Sequence, residues 1–487
     1  MLTEADLLGA IIAAPADDDG PRLVYADWLQ ERADPRGELI HVQCALARLD
    51  HGDARWSPLR RREAELLRAH QTAWLAALAP KRFERFSFRR GMVETGRIDS
   101  SRLTQALRSA APTLRELTIS CAPTADQVAV ASSPHLARIT ELGLTSTSGI
   151  GAAGVSAALG SVHLRALQRL HLRVDSSGAA ALGDAPQGLQ SLVLNKGQGA
   201  LDPAWEPRLG RSDLAAGLTR LRLHGMALGP GGARAIAESA RFAGLNDLGV
   251  LADDLGPEGI LALLGSPHLC GLRRLTLSRV GTITSEAFSR CAWLGHLGSL
   301  GLSDCGPAAA ALLAIPDVAL DQLDLSGNGL GDAEIEALAR WPPLARITRL
   351  YLARNTIGDR GARALAASPH LGPLTELLLH GNSIGDDGAA ALAAADRLSR
   401  LTWLTLGTNR IGDGGAKAIA GSPHLARVTR LSLFGNTIGA EGATALAGSE
   451  HLEPVELSVD AGVGSAAIEL LRERFGAALS VGGASGR

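Results

Sequence analysis

Apolar and polar positions between residues 320 and 446 recur with one period. The phrase L-x-x-L-x-L-x-x-N begins at Leu320, Ile347, Leu374, Leu401 and Val428, each start 27 residues after the one before. Inside a phrase the two kinds of residue alternate, as in Ile347-Thr348-Arg349-Leu350-Tyr351-Leu352. That alternation predicts a short strand with its leucines turned inward and its polar positions outward. The stretch that follows, I/L-G-D/A with a run such as Ala362-Arg363-Ala364-Leu365-Ala366, has helical spacing. Asn328, Asn355, Asn382, Asn409 and Asn436 fall in the turn after each strand. An amide there is expected to bond backbone groups of the neighbouring coil, forming a ladder that satisfies a buried bend.

Weaker copies of the phrase start at Leu114, Ile139, Leu167, Leu189, Leu218, Leu245, Leu272 and Leu297, with wandering spacing. They place Thr147, Asp175, Gly197, Met226, Asp253, Val280 and Cys305 where the later copies carry Asn. Order is therefore expected to concentrate in the C-terminal half. Thirteen repeats run from Leu114 to about Leu452, with a shortened last phrase at Val455-Glu456-Leu457.

A fixed period in the twenties is the signature of a leucine-rich-repeat solenoid. The expected fold is α/β, with a curved parallel sheet on the concave side and helices on the convex side. The I-G-D-x-G-A-x-A-L-A phrasing resembles the ribonuclease-inhibitor-like class of these repeats, also found in innate-immune receptors and Ran GTPase activators. With only five cysteines and a 27-residue unit, ribonuclease inhibition is not carried over.

Residues 1–110 do not follow the period and predict a mainly helical cap. Thr3 and Asp6 have the spacing of a capping box, and Pro21 stands at a helix start. Helices are expected to follow from Glu38 to Leu49 and from Ser57 to about Leu78. Strands are expected over Phe83–Phe88 and Met92–Ile98. Pro21-Arg22-Leu23-Val24-Tyr25-Ala26-Asp27-Trp28-Leu29, Asp34-Pro35-Arg36-Gly37-Glu38 and Arg89-Arg90-Gly91-Met92-Val93-Glu94 together resemble the bacterial repeat-companion domain, which implies no activity. Residues 1–53 hold four Arg against eleven acidic residues, and 54–108 hold thirteen basic against five acidic. Docking of one segment on the other is the expectation. The solenoid is expected over 111–457, a C-terminal cap with a helix from Ser465 over 458–481, and a disordered tail over 482–487.

A net charge of −2 gives no general drive toward nucleic acid or anionic membrane. Cys44, Cys121, Cys270, Cys291 and Cys305 form no C-x-x-C pair, as expected of a reducing, cytoplasmic setting. No apolar run reaches the roughly 18 residues of a membrane helix. His135, His163, His268, His370, His424 and His451 share one phase of the repeat, where contact with turns is favoured over metal binding. No catalytic grouping, metal site or cofactor is expected. The outward positions carry the functional signal. Arg169, His171, Arg173, Arg220, Arg222, His224, Arg273 and Arg274 form a basic stripe opposed mainly by Asp247, and Tyr351, Leu378, His380, Trp403 and Phe434 form an aromatic cluster. The expected role is non-catalytic binding of a protein of acidic or mixed charge, with enzyme regulation and, behind it, nucleic-acid binding as alternatives.

Overall fold

The computed structural model describes residues 2–15, 17–49, 53, 55–78, 85–99, 113–121, 124–184, 188–202, 204–306, 308–454 and 456–482. The expected boundary near residue 110, Val455 of the last phrase and the tail beyond Gly482 lie outside them. The chain forms two compact units, Met1–Asp247 and Leu248–Arg487.

Unit 1 begins with helices Glu4–Ala13, Gly20–Gln30, Arg36–Ala47 and Trp56–Leu78. Thr3 caps the first through a capping box with Asp6. A hairpin follows, β1 (Arg85–Arg89) antiparallel to β2 (Met92–Asp99). Gly91 turns it at φ +75°, and a Cβ there would lie 2.0 Å from Ile40 Cγ1, so the R-R-G-M-V-E phrase needs glycine for both reasons. Arg22 and Glu94 join two parts of the companion-like motif by a buried ion pair of 2.8 Å. Arg62–Glu38 at 2.6 Å and Arg90–Asp19 at 3.0 Å also link the basic and acidic segments. Strand β2 then pairs in parallel with β3 (Glu116–Ser120), so the parallel stack starts inside the segment predicted as a cap. Strands β4 (Glu141–Thr145), β5 (Arg169–Val174), β6 (Ser191–Lys196) and β7 (Arg220–His224) continue it.

Unit 2 carries β8 (Asp247–Leu251, its first residue the last of unit 1), β9 (Arg274–Ser278), β10 (Ser299–Ser303), β11 (Gln322–Asp324), β12 (Arg349–Tyr351), β13 (Glu376–Leu378), β14 (Trp403–Thr405), β15 (Arg430–Ser432) and β16 (Glu456–Val459). From β9 onward neighbours pair in parallel and in register. A further strand, β17 (Leu479–Val481), pairs with β16 after the helix Ser465–Phe475. Strands line one face and helices the other, so the fold is the α/β leucine-rich-repeat solenoid. The inward leucines, Leu350, Leu352, Leu377, Leu379, Leu404 and Leu406 among them, are fully buried.

The repeat phrase encodes contacts between coils. Asn382 Nδ2 donates to Leu352 O (3.0 Å) of the preceding coil, and its Oδ1 accepts from Ile357 N (3.1 Å). Asn328, Asn355, Asn409 and Asn436 repeat the pattern, and Asp460 closes it by accepting from Asn436 N. The Asp of I-G-D serves the next coil. Asp359 Oδ1 accepts from Gly385 N (2.7 Å) and Gly388 N (2.9 Å), at the start of the following helix Asp386–Ala393. A Cβ on Gly388 would lie 2.6 Å from that oxygen. The last glycine of I-G-D-x-G is therefore the space into which a neighbour's cap reaches. Ser368 of S-P-H-L similarly donates to Ala339 O one coil back (2.5 Å), and His370 N donates to Ser368 Oγ.

Candidate functional site

In-register pairing sorts the outward positions of unit 2 into rows across the strands. The first row is Gln322, Arg349, Glu376, Trp403, Arg430 and Glu456. The second is Asp324, Tyr351, Leu378, Thr405, Ser432 and Ser458. His380 and Phe434 lie beyond the strand ends, two residues past Leu378 and Ser432.

The five predicted side chains therefore do not form one aromatic cluster. Tyr351 and Trp403 are two strands apart, about 10 Å, and sit in different rows. Phe434 is four residues past Arg430, the in-register partner of Trp403, or about 13 Å along the strand direction. All of them are half-buried. Tyr351, Trp403 and His380 each meet a polar partner. Tyr351 donates its hydroxyl to Glu376 Oε2 at 2.5 Å, and burial followed by this bond pushes its pKa up. The Arg430 guanidinium lies 5.2 Å from the centre of the Trp403 ring and reaches Glu456 at 3.3 Å. His380 Nδ1 lies 3.1 Å from Thr405 Oγ1. Burial, then the nearby Arg354 charge, holds its pKa below the ordinary histidine value against Asp324. Leu378 lies between Tyr351 and Thr405 in the second row.

The basic stripe needs correction. Arg169, His171, Arg173, Arg220, Arg222 and His224 lie on β5 and β7 of unit 1, whereas Arg274 belongs to unit 2. Arg169 pairs with Glu141 and with Glu116 (3.4 Å), and His171 lies 3.6 Å from Glu141. Arg220 and Arg222 converge on buried Asp247 at 3.0 and 3.2 Å. Arg173 is exposed. The stripe is thus largely neutralised by Glu116 and Glu141 on β3 and β4, as well as by Asp247. Burial and neighbouring Arg side chains hold the pKa of His171 and His224 down.

Arg349, Glu376 and Arg430 also face outward, and their shared place before the second leucine of each phrase is the sequence signal that marks them. Among the described residues no group of three or more His, Cys, Asp or Glu is placed to hold a metal ion, and no helix is long and apolar enough to cross a membrane.

These strand-and-helix coils with their Asn ladder have the leucine-rich-repeat architecture. A family model described as Leucine Rich repeat matches residues 320–339, 347–366, 373–393, 401–420 and 426–447, all in unit 2. Similar solved structures include the yeast Rad7–Elc1 complex, at 16% identity over 63% of this chain and 74% of that one, TM-score 0.39. An internalin from Listeria monocytogenes, InlF, is 21% identical over 61% of this chain and 92% of that one, TM-score 0.34. No curated protein matches the chain.

Proposed function

We propose that the chain is a non-catalytic protein-binding module whose recognition surface is the strand face of unit 2 between β12 and β15. The observation that carries this reading is Trp403. Its indole stands on an outward row, half-buried, with the Arg430 guanidinium over its face at 5.2 Å from the ring centre. Aromatic side chains held rigid on a surface lose little conformational freedom on binding, which is why they recur as interface anchors. Tyr351 and Leu378 extend the same face, and a broad sheet face suits a macromolecule better than a small ligand. Regulation of an enzyme is a special case of the same binding. Nucleic acid is disfavoured, since Arg169, Arg220 and Arg222 are already paired with carboxylates. The ribonuclease-inhibitor-like repeat type, the N-terminal repeat-companion domain and a bacterial, cytoplasmic setting complete the proposal. They rest on the I-G-D phrasing, the motif joined by Arg22–Glu94 and five free cysteines. Affinity capture with the intact chain against Trp403→Ala and Arg173→Ala variants tests it. Captured proteins lost only with Trp403→Ala support the face in unit 2. Capture unaffected by Trp403→Ala overturns it.

A further inference from the structure

On the strand face of unit 2, Arg349 is a cation that pairs with no carboxylate among the described residues. Its in-register neighbour on β11 is the neutral Gln322. Its neighbour on β13 is Glu376, whose Oε2 accepts the Tyr351 hydroxyl at 2.5 Å. Asp324, one row away, accepts from Ser303 Oγ (3.0 Å) and Ser326 N (2.9 Å). Arg349 Nε is buried with no hydrogen-bond partner, and among the described residues the guanidinium enters no ion pair. Other strand-face arginines are engaged: Arg169 with Glu141, Arg220 and Arg222 with Asp247, Arg430 with Glu456. Arg173, which also enters no ion pair among the described residues, is exposed and so hydrated by solvent. Arg349 differs in having one donor withdrawn from water and left unsatisfied, an arrangement that is costly until an acceptor arrives.

Two strands away in the same row stands Trp403, with Leu378 between them in the adjoining row. The two backbone positions are thus about 10 Å apart, with Glu376 between them in the row, held by the Tyr351 hydroxyl, and Leu378 beside it. A guanidinium presents its N–H groups as a planar fork that matches a carboxylate, and a half-buried pair is less screened than an exposed one. We infer that Arg349 and Trp403 form a two-point reader for an acidic peptide segment of a partner protein, with Arg349 taking an Asp or Glu side chain and Trp403 an apolar side chain two or three residues away. This inference rests on the strand-face reading above and adds the chemistry of the partner. It also assigns Tyr351 a positioning role: by occupying Glu376 it keeps Arg349 available.

The test uses the full-length chain and a random linear peptide library displayed on phage. Selection on the wild type is expected to enrich peptides in which Asp or Glu stands two or three positions from an aliphatic or aromatic residue. Individual selected peptides are expected to bind the Arg349→Glu variant at least about tenfold more weakly. Selection on that variant should lose the acidic preference. The Arg349→Lys variant, which keeps the charge and loses the fork, should fall between the two and guards against a folding artefact. Trp403→Ala should relax the apolar preference and leave the acidic one. Binders sensitive to Trp403→Ala but without acidic enrichment, or indifferent to Arg349→Glu, overturn this inference and leave the strand-face reading standing. Failure to select any binder sensitive to either substitution overturns both.

Discussion

Arg22 and Glu94, 72 residues apart in sequence, meet in a 2.8 Å ion pair with side chains only 1% and 5% exposed. Removing one partner of a pair so thoroughly buried leaves a charge with neither water nor counter-ion. Glu94→Ala is accordingly expected to cost about 3–5 kcal/mol of stability. Glu38→Ala, which removes the carboxylate from the half-exposed Arg62, should cost about 1 kcal/mol or less. Denaturant titration of the two variants provides the comparison, and equal losses would contradict the structural role given to the N-terminal motif.

The Asn ladder makes a second prediction. Asn382→Ala leaves Ile357 N without its acceptor and takes one of two amide donors from each of Leu352 O and Leu379 O, at roughly 1–3 kcal/mol. Thr147, at the equivalent place in unit 1, is exposed, so its replacement by Ala should change stability by about 0.5 kcal/mol at most. A loss at Thr147 as large as that at Asn382 would show that the ladder does not concentrate order in the later repeats.

Acid should weaken unit 1. Burial, then the Arg222 and His171 charges, hold the His224 pKa below its ordinary value. Burial, with Arg169 and Arg220, does the same at His171 against the opposing pull of Glu141. A histidine whose folded pKa is depressed contributes its full stability above the unfolded value of about 6.5, and loses it as pH falls through that value toward the folded pKa. The urea midpoint is expected to drop between about pH 7.5 and pH 5.5. The drop should be smaller in His224→Gln. A midpoint that rises on acidification would reverse the assignment.

Thiol chemistry separates the cysteines. Burial pushes the thiols of Cys44 and Cys291 up to about 12 and those of Cys121 and Cys305 up to about 11, while Cys270 is exposed. Because the thiolate is the reactive form, iodoacetamide at mildly alkaline pH should modify Cys270 first in the native protein. Peptide mapping showing early modification of Cys291 or Cys305 would contradict this packing.

The architecture was legible because the core and the ladder repeat with the period. Once Leu350, Leu352 and Asn355 recur every 27 residues, their inward and turn positions follow from strand geometry alone. The Thr3–Asp6 capping box and the Ser465–Phe475 helix were legible from local chemistry. Relations between coils were not. Asp359 caps the helix of the next repeat, and that requires two coils to be laid side by side. The neutralisation of Arg169 depends on Glu116 and Glu141, distant in sequence and adjacent only once β3, β4 and β5 pair in register. The separation of Trp403 from Phe434 is likewise a matter of register, since both are outward residues but occupy different positions along neighbouring coils.

Trp403 is where binding and stability part company, and one substitution separates them. The measurement is the affinity of the Trp403→Ala chain for a protein captured by the wild type, made alongside its urea midpoint. An interface anchor predicts binding weaker by about 2 kcal/mol or more. Its midpoint should stay near that of the wild type, because the ring stands on the outward row, half-buried, with the Arg430 guanidinium 5.2 Å from its centre. Unchanged affinity together with a clear stability loss would make Trp403 a packing residue and contradict the assignment of this face as the binding surface.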